Sequence, residues 1–523
     1  MRISTSQYFE TSAASYTKSF ADTAKTQQQI ASGSRIDTAS DDPAGAARLL
    51  QLQQQSALLT QYKGNITTVT NSLNQSEGIL ESITTALQRA TELSVSAGNG
   101  AMSDDDRASI ASEISEIEAN VFSLLNSRDA NGAYIFAGSK TTEPPYTRNG
   151  DGTYTYQGDQ TQLSLQISDT LSVATNETGY SAFEQAINTA RTNSTLTAPP
   201  VNDNRVTVSG GQLQAVNTYN KSYIAGEPYT LNFVSSTAYT VTDSSGNDIT
   251  AELPSKGVFD PKKEGGSAIS LRGVEFALDI TLKSTDTDAD AAIAGHTFTL
   301  SSKPDTLSPS RGAANPSTAQ ITGAVVTDKS AYAAGFPSSG AVIKFSSATD
   351  YAVYAQPLSD GSKPVATGST GGASQITVAG VTFDFTGTPA DKDQYVVQVN
   401  SHKTQNVLDT LHQLSAALNV PVEGDRQGQL AQQAAIQAAL GNITSANDRV
   451  EVTRGAIGGR GNMVDIQSAE NTSMELNNKT VQSAIGDTDM ASASIALTLQ
   501  QTMLQASQLA FAKISQLSLF NKL

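Results

Sequence analysis

The chain predicts a mainly α coiled-coil rod, formed by paired N- and C-terminal segments, with β-rich outer domains inserted in its middle. Three observations carry this reading. Apolar residues recur in sevens on both sides of the middle, at Leu52, Leu59, Ile66, Leu73, Leu80 and Leu87 and again at Ile436, Ile443, Val450, Ile457 and Val464. That spacing marks a helix seam that needs a partner helix. The two ends carry apolar stripes without internal breakers, so they are expected to pair with each other. Between the helical flanks, residues 195–403 change to short alternating runs rich in Gly and Pro.

Taken in order, the first stretch places Phe9, Ala13, Tyr16, Phe20, Ala24 and Gln27 at three-four spacing, one face of a helix. The segment Ile30-Ala-Ser-Gly33-Ser-Arg35 to Asp41-Asp42-Pro43-Ala-Gly45 follows. Gly33 suits a helix C-cap, and the Asp/Pro cluster supplies an N-cap with Pro early in the next helix. A helix over 46–96 would be roughly 75 Å long at 1.5 Å per residue. Gly64 and Gly78 weaken it by about 1 kcal/mol each without breaking it. Asn99-Gly100 ends that helix, and Ser103-Asp-Asp-Asp106 caps another whose apolar face is Ile110, Ile114, Ile117, Val121 and Leu124. Asn131-Gly132 is a turn ahead of the β-prone Tyr134-Ile-Phe136. The alternation around Tyr154-Thr-Tyr156 and Leu163-Ser-Leu165-Gln-Ile167 is expected to form one hairpin.

The middle repeats itself. Tyr223-Ile-Ala-Gly226-Glu-Pro228 is echoed by Tyr332-Ala-Ala-Gly335-Phe-Pro337, and Gly273-Val-Glu-Phe276 by Gly380-Val-Thr-Phe383. Two similar β modules, at about 205–305 and 320–403, or one fused β domain, are therefore expected. Helical pattern returns at Val407, Leu411, Leu414 and Leu418 and resumes after Pro421. The last segment carries one stripe at Met490, Leu497, Leu504 and Phe511 and a second at Leu499, Met503, Ala506, Ala510, Ile514 and Leu517. The stripes lie on different sides of the helix, so one partner helix cannot bury both.

Composition narrows the function classes. Net charge is −17 with no basic cluster, which argues against nucleic acid or an anionic membrane as partner. No run of 18 apolar residues suggests a membrane span, and Met1-Arg-Ile-Ser4 opens no conventional signal peptide. Cys and Trp are absent, so thiolate chemistry is excluded. No metalloprotease, nucleophile-elbow, phosphate-loop or dinucleotide motif occurs, so no enzyme activity, cofactor or metal is expected. His296, His402 and His412 form no ligand pattern. Asp286-Thr-Asp288-Ala-Asp290 resembles the start of a calcium loop, but Ala291 stands where Gly is needed and no Glu follows, which favours a solvated acidic loop.

Several motifs together resemble the flagellin superfamily: Met1-Arg-Ile-Ser4, the 30–45 connector, Asn131-Gly-Ala-Tyr134-Ile-Phe136-Ala-Gly138, Arg454-Gly-Ala-Ile457-Gly-Gly-Arg460, Ile485-Gly-Asp487-Thr-Asp489-Met490-Ala491, and the ending Leu517-Ser-Leu519-Phe520-Asn-Lys-Leu523. The resemblance covers about residues 1–190 and 404–523 and departs from the pattern at Gly459 and Gly461. The Tyr134–Gly138 segment and the Ser518-Leu-Phe520 ending point to junction proteins of the superfamily rather than to filament flagellin. The resemblance implies a terminal coiled-coil domain at 1–45 plus 486–523, a helical rod with a β-hairpin at 46–194 plus 404–485, and a β-rich insert at 195–403. It implies a structural role in the bacterial flagellum, linking hook-side proteins to the filament. Implied partners are flagellin, a hook-side hook-associated protein, copies of the chain in a ring, and an export chaperone before secretion. A filament flagellin, or an adhesin displayed by the insert, is the alternative. The terminal assembly residues would be Phe9, Tyr16, Phe20, Leu497, Leu504, Phe511, Ile514, Leu517 and Phe520. In the connector, Arg35 is expected to hold Asp41 and Asp42 bidentately near Gly45, fixing the angle between layers or meeting a neighbouring subunit.

Overall fold

The computed structural model describes residues 5–263, 267–312, 314–356, 358 and 361–520; for 5, 6, 8, 9 and 514–520 it describes the backbone alone. By contacts the chain divides into one unit of Met1–Asn74, Leu163–Thr175 and Ile457–Leu523, and another of Gln75–Gln162 and Asn176–Ala456. The long helices Pro43–Ala97 and Arg426–Gly486 each contribute to both.

Both seams are buried. Along the first long helix the inward positions are Leu52, Leu59, Ile66, Leu73, Leu80 and Leu87, alternating with Tyr62, Val69, Ser76, Ile83 and Ala90; Gln55 is exposed. Along the second, Ile436, Ile443, Val450, Ile457 and Val464 are followed by Asn471 and Asn478 at the same interval. These asparagines replace apolar packing with directed bonds. Asn478 Nδ2 donates to the Leu52 carbonyl at 2.9 Å, and Asn471 Nδ2 to the Ile167 carbonyl at 3.0 Å. Buried amides with both roles engaged fix one register. The helix runs unbroken through Gly458, Gly459 and Gly461, none of which has a neighbour where a side chain would sit.

In the first unit, the N-terminal helix Thr5–Ser32 packs along the C-terminal helix Met490–Phe520. A hairpin of Ser164–Gln166 with Ser172–Ala174 sits against the long helices: Tyr62 donates to Asp169 at 2.9 Å, and Asn65 to the Gln166 carbonyl at 2.7 Å.

In the second unit, the capped helix Asp104–Leu125 packs on Val407–Leu418 through Ile110, Ile114, Leu411 and Leu414. The expected single hairpin over 154–167 is corrected to two. Tyr154–Tyr156 pairs backwards with Tyr146–Arg148, and 164–166 pairs forwards with 172–174. The turn at Asp151-Gly152, with Gly152 at φ +87°, closes the first hairpin, because only glycine takes that conformation without strain.

The insert holds two β modules with the same strand order. The first has Thr192–Ala198, Thr297–Ser302, Tyr229–Phe233 and Tyr239–Thr242 in one sheet, and Ser267–Leu271, Val274–Ile280 and Val206–Val208 in the other. The second repeats this with Thr306–Arg311, Gln394–Asn400, Ala341–Phe345 and Asp350–Ala355, opposite Gln375–Val378, Val381–Thr386 and Gln320–Val326. Aromatic cores fill each: Tyr223, Tyr229, Phe233 and Phe276 in the first, Phe345, Phe383, Phe385 and Tyr395 in the second. Both modules begin earlier than their expected limits. Their first strands, rich in Ser and Thr, have the composition of linkers, but they pair with the last strand of the module. The Gly-Val-x-Phe echo is a pair of two-residue hairpins. Arg272-Gly273 and Ala379-Gly380 all have positive φ, as a type I′ turn requires. A side chain on Gly380 would lie 2.2 Å from the Asp328 carbonyl, so the turn admits no other residue there.

Candidate assembly interface

The connector binds the first helix to the start of the last. Arg35 Nε and Nη2 both donate to the Ile485 carbonyl, at 3.0 and 2.7 Å, and Nη2 reaches Asp42 Oδ2 at 3.2 Å. The Arg35 amide donates to the Gly486 carbonyl at 2.6 Å, and Thr488 N to the Gly33 carbonyl at 2.9 Å. Ser34 and Asp487 form an antiparallel bridge between these contacts. The guanidinium thus satisfies a carbonyl in the last turn of Arg426–Gly486, where the helix has no internal donor left and its dipole favours a cation.

The expected clamp of Arg35 on both carboxylates is therefore corrected. Asp41 belongs to Lys25, at 2.7 Å, and accepts from the Thr38 amide at 2.8 Å. Lys25 and the Thr38 amide hold the Asp41 carboxyl down at about 2. Asp42 caps the next helix, accepting from Gly45 N at 2.9 Å, and that bond with Arg35 lowers its pKa. Gly45 is required by space: a side chain there would meet Asp42 Oδ2 at 2.5 Å and Ile36 Cδ1 at 2.7 Å. Lys25 and Ile485 carried no sequence signal of their own, although Ile485 opened one of the resembling motifs.

The terminal helices meet on one seam. Leu497, Leu504 and Phe511 are half-buried with Ala493, Gln500 and Ser507, and Phe511 stacks on Tyr16 with ring centroids 6.2 Å apart. On the N-terminal helix the expected face is corrected beyond Tyr16. Packing continues through Ser19, Thr23 and Thr26, while Phe20 is 57% exposed and Ala24 and Gln27 face outward. The reason is chemical. Thr23 and Thr26 return their hydroxyls to the carbonyls of Ser19 and Asp22, at 2.7 and 3.0 Å, so their polar atoms need no other partner. The second stripe of the C-terminal helix stays uncovered: Leu499 is 55% exposed and Met503 54%, with Ile495 and Leu509 also exposed. The side chains of Phe9, Ile514, Leu517 and Phe520 lie outside the described residues, as do the opening Met1–Ser4 motif and residues 521–523.

The other motifs are structural. Phe136 is buried edge-on to Phe183 at 5.4 Å, and a side chain on Gly138 would strike Asp159. Arg454 bridges Glu77 at 2.7 Å and Glu451 at 2.9 Å. The acidic 286–290 loop is spoken for: Asp286 pairs with Arg205 at 2.7 Å, Asp288 caps the short helix Ala289–Ile293, and Asp290 accepts from Ser236 N at 2.9 Å. Among the described residues no group of three His, Asp or Glu converges as a metal site. His412 lies 3.5 Å from buried Glu118, and His296 bonds Asp203 at 3.0 Å. Among the described residues no helix is long and apolar enough to cross a membrane.

Residues 3–141 match the bacterial flagellin N-terminal helical region. Over that stretch the chain is similar to flagellins. It is 36% identical over 190 residues to flagellar hook-associated protein 3 of Salmonella typhimurium, and 34% identical over 190 residues to that of Escherichia coli. Each match takes in 36% of this chain and 59% of the relative, so the chain spans under two thirds of the curated relatives' length. A solved flagellar hook-associated protein-3 from Legionella pneumophila superposes with a TM-score of 0.52 at 18% identity, covering 83% of this chain and 98% of that one. That likeness shows a shared fold of long helices and antiparallel sheets.

Proposed function

We propose that this chain is a structural, non-catalytic component of the bacterial flagellum that joins hook-side proteins to the flagellin filament by axial self-assembly. The observation that carries this is the 36% identity over 190 residues to flagellar hook-associated protein 3, beside a flagellin N-terminal match whose residues 3–141 include the connector and the Tyr134–Gly138 motif. The uncovered stripe at Ile495, Leu499, Met503 and Leu509 supports it, because an apolar face on an otherwise polar chain is suited to burial against neighbours. On this reading the partners are flagellin, a hook-side hook-associated protein and further copies of the chain in a ring, with an export chaperone before secretion. The location is the flagellum outside the cell. The terminal and connector residues are its assembly surface, and the chain divides into terminal, helical and insert domains. The test is gene deletion followed by electron microscopy and assay of the medium. Cells bearing hooks without filaments while flagellin accumulates in the medium are the expected result. Filaments of normal length would overturn the reading, and loss of secreted flagellin would favour a filament subunit instead.

A further inference from the structure

We infer that the cleft where the two β modules join binds a small ligand through a carboxylate, phosphate or sulfate group held by Arg191 and Lys303. The cleft measures about 220 Å³ and is lined by Arg191, Tyr219, Lys303, Lys329, Tyr332 and Lys403 among others. That is below the roughly 300–1,000 Å³ of drug-sized sites, so it suits one small group.

The two inner cations are adjacent and uncompensated. The Lys303 amide donates to the Arg191 carbonyl at 2.8 Å, which sets the side chains on neighbouring backbone. Arg191 is only 6% exposed, and its Nε is sealed from solvent without an acceptor. Its guanidinium has no ion pair among the described residues; it lies over the Tyr219 ring at 4.9 Å. Burial pushes the pKa of both Arg191 and Lys303 down. The carboxylates that line the cleft are engaged elsewhere. Glu227 accepts from Ser302 N at 2.5 Å and Ser302 Oγ at 2.6 Å, and Asp305 accepts from Tyr332 at 2.8 Å. Lys329 and Lys403 are exposed at the rim. Nearby His402 is lowered by burial and then by Lys303, against the opposing pull of Asp305.

A buried cation without a partner is costly, and an arriving anion removes that cost. The planar guanidinium presents paired donors to any oxyanion. A positive cleft in a chain of net charge −17 is a local arrangement against the general field. An inorganic anion and a sugar acid present the same oxyanion chemistry, and separate probes distinguish the two sources.

The experiment is calorimetric titration and thermal unfolding of the full chain with sodium phosphate and with sodium glucuronate, against sodium chloride at matched ionic strength. Saturable binding of at least one probe, with a raised melting temperature, is expected. Arg191→Met and Lys303→Met should each weaken it at least tenfold, and Lys329→Ala a few-fold. Tighter phosphate binding identifies an inorganic or phosphorylated ligand, and tighter glucuronate binding an acidic sugar; either supports the site. In chloride, Arg191→Met should melt close to the wild type, because loss of the guanidinium's contact over Tyr219 is offset by removal of a buried charge without an ion pair. No saturable binding to the wild type, or equal binding by the variants, would overturn the inference. Should Arg191→Met fail to fold, Lys303→Met decides the question alone.

Discussion

Arg35 and Asp41 show how a charged connector is built from unlike contacts. Arg35 spends its fork on the Ile485 carbonyl, and Asp41 takes its charge partner from Lys25. Because the side chain of Arg35 is about half exposed, its bonds count for less than buried ones. Arg35→Ala should lower the stability of the folded chain by about 1 kcal/mol, measured by urea unfolding, since a charge-assisted bond at a helix end is lost. It should also reduce filament attachment in cells. Unchanged stability with normal attachment would leave the connector as a surface turn. Asp41 gives a pH-dependent signature. Its folded pKa, about 2, lies below its ordinary value of 3.8, so its contribution is present above that value and fades as pH falls towards 2. An NMR titration of the Asp41 carboxyl should show a midpoint near 2 in the wild type, rising towards 3.8 in Lys25→Met. Equal midpoints would mean that the Thr38 amide and hydroxyl hold the proton off by themselves. Those charge partners were not legible in the sequence, because Lys25 stands one helix away from Asp41 and follows no motif.

Among the elements, the long helices were legible because apolar residues repeat every seven positions. Their continuation through Asn471 and Asn478 was not, because an amide satisfied by a main-chain carbonyl looks like a surface residue in the sequence. The N-terminal helix misled for the same reason: Thr23 and Thr26 conceal their hydroxyls within the helix and pack, while Phe20 does not. The repeat in the insert was visible through its Gly-Val-x-Phe turns, where Gly273 and Gly380 are sterically required. Its Ser- and Thr-rich first strands carried no alternation strong enough to extend it. Under the proposed function, the two stripes of the C-terminal helix divide pairing from assembly. Leu504→Ser should loosen the contact with the N-terminal helix and raise amide exchange in both helices, because it opens the seam beside Tyr16 and Phe511. Leu499→Ser with Met503→Ser should leave exchange in the isolated chain unchanged and reduce polymerisation measured by sedimentation. If the outer-stripe variant assembles normally, that face is not an assembly surface.

For the whole molecule, the insert is joined to its helical base at a closed neck. Ile187 pairs with Thr404, Asn188 N donates to the Lys403 carbonyl at 3.1 Å, and Gln405 N to the Ala186 carbonyl at 3.0 Å. The chain leaves and returns at one place, so removal of residues 191–402 with a short glycine link leaves both ends paired. Thr189, held by Asn442 at 2.7 Å, is retained. The shortened protein should keep its helical circular dichroism and a cooperative thermal transition, and it should restore filaments to cells lacking the gene. A shortened chain that failed to fold would show that the insert and its base form one cooperative body. The central claim is that the helices make this chain a junction component. Immunogold electron microscopy of intact flagella, with antibody raised against the exposed β insert, tests it most directly. The account expects label confined to a narrow band where hook meets filament. Label distributed along the filament would contradict it.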